Sequence, residues 1–84
     1  MEITHIYDLK KHGTIFCGRS RWEDEIYHRI GDVVFCASKK WRVTAVSHIR
    51  QGCFSVPQYR MHSIKLEPID HEGFPQVGDV LRSE

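Results

Sequence analysis

The chain is short of helix builders. Leucine and alanine together fill five of its 84 positions, against fifteen for isoleucine and valine. Branching at Cβ restricts χ1 against a helical backbone and suits a pleated strand, so the imbalance points to an all-β domain. An excess of either charge is also missing: twelve Lys and Arg against eleven Asp and Glu leave a net charge of +1. That excludes the gross cationic excess of a dedicated nucleic-acid binder and an acidic tail alike. No apolar run approaches the roughly 20 residues that span a bilayer. Met1 to His5 has neither the basic nor the apolar region of a signal peptide, so a cytoplasmic protein with no membrane partner is expected. Cysteine is sparse and odd in number, with three residues and no Cys-x-x-Cys pair. This argues against a disulfide framework and gives no local zinc motif. The length fits a single domain over residues 1–84. A chain this small buries only somewhat over ~60% of its unfolded surface, leaving little room for a deep active-site pocket.

What is present reads as a series of short strands. Ile3–Leu9 alternates, with Ile3, Tyr7 and Leu9 assigned to one face. Lys10 to Gly13 marks a turn, and Thr14–Arg19 is a second strand in which Gly18 signals a bulge or a close backbone approach. Ser20–Glu25 is a charged excursion, and Gly31-Asp32 turns the chain into the apolar run Val33–Ala37. Ser38-Lys39-Lys40 then separates that run from Trp41–Ile49, where Trp41, Val43 and Ala45 share a face. Residues 33–49 should therefore form an antiparallel hairpin. Tyr59–Leu66 changes phase, which suggests a bulge near His62 or Ser63. Val80–Arg82 is the last strand. Val77-Gly78-Asp79-Val80 echoes Ile30-Gly31-Asp32-Val33, as equivalent corners would. Six or seven short strands with frequent turns indicate a small antiparallel barrel, closed or partly open, or a sandwich.

Three stretches carry a family resemblance. Gly13-Thr14-Ile15-Phe16-Cys17-Gly18-Arg19 resembles the opening strand of the second-domain β-barrel of translational GTPases such as elongation factor Tu. Ile30-Gly31-Asp32-Val33-Val34 resembles that family's turn into its next strand. Ile64–Asp70, followed by Val77-Gly78-Asp79-Val80-Leu81, resembles its closing pair. The likeness covers roughly residues 13–82. It departs from the family at His62–Lys65 and in the longer excursion Ser20–Tyr27. It implies a docking barrel for RNA or a ribosome-like surface, and no Gly-rich phosphate loop is present to support GTP hydrolysis. A weaker likeness to SH3-like and PUA-like barrels also implies an RNA- or protein-binding module.

The chemistry-bearing residues are dispersed. Cys17 and Cys36 fall within apolar strands, where a thiol acts as a small hydrophobe, while Cys53 sits in a loop. Six histidines lack metal-ligand spacing, so no metal or other cofactor is expected. No nucleophile elbow is present, and the consecutive Glu23, Asp24 and Glu25 suit a solvated turn; no catalytic residues are assigned. Arg42, His48 and Arg50 alternate along the solvent side of one strand. Arg60 and His62 are placed on a neighbouring strand, Lys39 and Lys40 at the hairpin tip, and Tyr59 or Trp22 nearby. Cations beside exposed aromatics can neutralise phosphates and stack bases. The candidate nucleic-acid-binding set is thus Lys39, Lys40, Arg42, His48, Arg50 and Arg60. An ordinary solvated face fits the same pattern, and the near-balanced charge favours it. The functional expectation is a non-catalytic RNA- or ribosome-associated module. The alternative is a protein-interaction or regulatory module that uses a sheet edge or the Trp22–Tyr27 excursion.

Overall fold

The computed structural model describes residues 1–11, 13–46 and 59–83. Among them are six strands and no α-helix: β1 (Glu2–Leu9), β2 (Gly13–Arg21), β3 (Val33–Cys36), β4 (Lys39–Val46), β5 (Tyr59–Ile69) and β6 (Arg82–Ser83). The expectation of an all-β chain is met. The strands form one antiparallel sheet in the order β1-β2-β5-β4-β3-β6. As a ladder the sheet is open, with β1 and β6 at its edges.

The residues before β6 fold back along the start of β1. Val80 bridges Glu2. The Ile3 amide donates to Asp79 O and the Gly78 amide to Ile3 O, both at 2.9 Å. The Met1 nitrogen donates to Leu81 O at 2.9 Å, and the Leu81 amide returns a bond to Met1 O at 2.7 Å. The last strand starts at Arg82 rather than Val80, because Val80 and Leu81 are engaged with the N-terminal residues.

The echoed Gly-Asp motifs are structural equivalents. Asp32 N donates to Arg29 O at 3.1 Å and Asp79 N to Gln76 O at 3.0 Å. The Asp32 carboxylate accepts from Arg29 N at 2.9 Å, and that of Asp79 from Gln76 N at 2.8 Å. Gly31 and Gly78 occupy the third turn position at φ +95 and +96, where an L side chain is disfavoured. Each corner then exchanges a pair of backbone bonds with a buried strand residue, Val43 for the first and Ile3 for the second.

The core joins Met1, Ile3, Phe16, Val34, Trp41, Val43, Ile64, Leu66 and Leu81. Trp41 is buried as its parity predicts, and its indole N–H donates to Gly73 O at 3.0 Å, satisfying the ring's one polar atom. The expected hairpin is present between β3 and β4, with Cys36 paired to Lys39. Ala37 and Ser38 form its loop, so Lys39 and Lys40 begin β4 instead of capping the tip. Residues 47–49 of the expected hairpin lie outside the described residues.

The bulges are not where the sequence suggested. The register of β5 against β2 runs unbroken from Arg21↔Tyr59 to Phe16↔Ile64, with no bulge at His62 or Ser63. The irregularities lie in β4, between Val43 and Ala45, and in β1, between Ile3 and His5. The β1 irregularity changes the strand's phase. Ile3 and Ile6 therefore share the face of their partners Gly18 and Phe16, while Tyr7 and Leu9 take the other. Gly18 is a close backbone approach: a Cβ there would stand 2.5 Å from Glu2 O.

Candidate nucleic-acid interface

In β5 the even positions Arg60, His62, Ile64 and Leu66 share one face, because side chains alternate along an unbroken strand. Ile64 and Leu66 fill the core. Arg60 and His62 continue that face beyond it, opposite Ser20 and Gly18 of β2. The apparent phase change in the sequence is thus a polar extension of the core face.

The Ser20–Tyr27 excursion covers this extension. β2 runs on through Arg21, and Trp22–Asp24 forms a single 3-10 turn. The turn is closed by the Glu25 amide donating to Trp22 O at 3.2 Å, with Glu25 in a left-handed conformation. This reversal brings both Trp22 and Tyr27 against Arg60. The guanidinium carbon lies 4.5 Å from the Trp22 ring centroid and 4.1 Å from that of Tyr27. One Nη2–H donates to Tyr27 Oη at 3.0 Å. Trp22 and Tyr27 remain 50% and 59% exposed, so the stack is a surface feature. By the same alternation Arg19, Arg21 and Tyr59 belong to the other face of the sheet, where the Arg19 guanidinium sits 4.6 Å from the Tyr59 ring centroid and donates to Glu2 Oε1 at 2.8 Å. That hydrogen bond and the Glu2 charge hold the Arg19 proton more tightly than usual. An open groove of about 460 Å³ is lined by Arg19, Arg21, Arg82 and Tyr59 together with Glu2 and Asp24, and not by the members of the stack.

Beneath the stack is a histidine pair. The rings of His28 and His62 meet edge to face at 4.8 Å, and His62 Nε2 shares a 2.6 Å hydrogen bond with Ser20 Oγ. Both ring nitrogens of His28, and Nε of Arg60, are buried without a hydrogen-bond partner. Burial pushes the His62 imidazole down to about 4, helped by His28, the Met1 amino group and Arg60. Burial lowers His28 as well. Both rings are therefore neutral at pH 7. A recess of about 210 Å³ opens here, between Tyr27, His28, Arg60, His62 and Val46.

The structure divides the sequence-assigned cations. Arg42 lies between the buried Trp41 and Val43 and opposite Glu67, so it projects from the face away from Arg60. The expectation that Arg42 and Arg60 share a side is corrected: an alternating strand cannot set a residue flanked by core positions on the core face. Lys39 and Lys40 are exposed at the start of β4. His48, Arg50 and Cys53 lie outside the described residues. The sequence-derived nucleic-acid set omitted Arg19, Arg21 and Arg82, and named Tyr27 only as the end of an excursion suited to a protein partner. The alternation Arg19-Ser20-Arg21 before Trp22 carried part of that signal; Arg82 reaches the groove only through long-range pairing. Cys17 is buried, with its Sγ 3.5 Å from Ser63 Oγ, and Cys36 is partly buried.

Among the described residues, no group of three or more His, Cys, Asp or Glu is arranged to hold a metal ion. No described helix is long and apolar enough to cross a membrane. No protein-family model, curated protein or solved structure matches the chain.

Proposed function

We propose that the protein is a non-catalytic binding module for single-stranded RNA, or for RNA exposed on a ribosome-like surface. In this reading the sheet curls into a partly open barrel of the translation-factor kind. The supporting observation is the exposed Trp22–Arg60–Tyr27 stack. Both rings pack on the guanidinium yet stay half or more exposed, which leaves aromatic surface on which a base can stack, and such stacking tolerates any base sequence. Three of the five guanidinium N–H groups remain for a phosphate, since one serves Tyr27 and Nε–H is buried.

A salt titration of affinity for an unstructured oligoribonucleotide tests this reading. Trp22→Ala and Tyr27→Ala should each weaken binding by about 1–3 kcal/mol, the usual worth of one stacked base. Arg60→Gln should flatten the salt slope by roughly 0.7, the single-strand value for one lost phosphate contact. Arg42→Gln, on the opposite face, should change neither quantity by as much. The stack also ties the Trp22–Tyr27 loop to β5, so thermal melts must first show that the variants are folded. No salt-dependent RNA affinity at low salt would reject the proposal and favour a protein ligand for the same aromatic surface.

A further inference from the structure

Among the described residues, the outer edge of β1 is covered along only part of its length. Glu2 and Ile3 are held by residues 78–80, and the strand irregularity follows between Ile3 and His5. From His5 to Leu9, no described residue pairs with this edge. A bare edge presents a row of N–H and C=O groups that templates a further strand, and natural edges are blunted by lysine, proline or a bulge. The segment His5-Ile6-Tyr7-Asp8-Leu9 has no lysine or proline and follows the irregularity, with Asp8 as its one carboxylate. Its Ile6, Tyr7 and Leu9 are 37%, 47% and 40% exposed, and His5 stacks on Tyr7 with ring centroids 6.1 Å apart.

We infer that this edge pairs with the same edge of a second copy, antiparallel about a two-fold axis at Tyr7, so that the two sheets become one. The axis stands perpendicular to the sheet and preserves its faces, so residues of equal parity meet. Two stops select the register: residues 78–80 close one end of the bare stretch, and the Lys10–Lys11 turn closes the other. Centring on Tyr7 sets five bare residues against five. Centring on Ile6 drives Leu9 of the copy onto Ile3, whose N–H and C=O already serve Asp79 and Gly78. Centring on Asp8 opposes two carboxylates, which repel. With Tyr7 at the axis, the row His5, Tyr7, Leu9 faces Leu9, Tyr7, His5. The basic turn of each copy then approaches the Glu2 and Asp79 end of the other. This fit of length, register and charge favours a second copy over an unrelated strand.

Sedimentation or light scattering of the full chain from roughly 10 μM to 1 mM spans the affinities typical of a small interface. A monomer–dimer equilibrium is expected. Tyr7→Lys, which opposes two ammonium groups at the axis, should weaken it roughly fivefold or more. Tyr7→Cys should cross-link to itself on mild oxidation, because directly opposed antiparallel residues have Cα atoms about 4.5–5.5 Å apart, within disulfide range. Ile30→Cys, at a 72% exposed turn position, should cross-link no faster than wild type. Since Tyr7 is exposed, both Tyr7 variants should melt like wild type; should the lysine variant not fold, the cysteine variant decides. A monomer across the whole range overturns the inference. So does cross-linking of Tyr7→Cys no faster than that of Ile30→Cys.

Discussion

Gly18 lets β1 and β2 approach closely. A Cβ at this position would meet Glu2 O and Met1 Cγ, each at 2.5 Å. The methionine side chain can swing aside, but the carbonyl oxygen belongs to the neighbouring strand and moves only with it. Gly18→Ala should therefore cost about 1–3 kcal/mol, the usual range for overpacking, read as a lower midpoint in urea unfolding. At this scale the sequence was informative wherever a residue type had one role. A glycine inside a strand signalled close approach, and Trp41 signalled burial by its parity. Arg60 was legible as a cation with Trp22 or Tyr59 nearby, but Tyr27 as its second aromatic partner was not, since that ring arrives through a loop closed by the left-handed Glu25.

Among the elements, the β3–β4 hairpin follows most directly from its residues. Alternation after Trp41 sets the faces, and Val33↔Arg42 through Cys36↔Lys39 sets the register. Its weak point is the loop, where Ala37 is held at φ +55. A left-handed alanine is disfavoured by roughly 1–2 kcal/mol, partly balanced by the greater unfolded freedom of a glycine in its place. Ala37→Gly should thus stabilise the protein by about 0.5 kcal/mol, seen as a rise in Tm. The bulges of β1 and β4 were illegible for a physical reason: an extra residue in one strand leaves composition unchanged and shows only against a partner's register. The unbroken β5 was misread in the opposite sense, because Arg60 and His62 occupy core parity.

For the whole molecule, strand order was the least legible property. It rests on pairing β2 with β5, whose partners run from Arg21↔Tyr59 to Phe16↔Ile64, and no local pattern encodes contacts so distant in sequence. One consequence of this pairing is acid sensitivity. His62 and His28 are buried as neutral rings near Arg60 and the Met1 amino group, and both are harder to protonate in the fold than when unfolded. Their contribution to stability is complete above the ordinary histidine value of 6.5 and is lost as pH falls towards the folded His62 value of about 4. Tm should fall across that window, and His62→Gln should reduce the fall. The twin Gly-Asp corners have a different consequence. They are replicate joints with matching bonds, one mounted on Val43 inside the sheet and the other on Ile3 near its margin. The molecule thereby contains its own internal standard: with the joint held constant, any difference in how the two corners open measures the mounting alone, and so the rigidity of centre against rim.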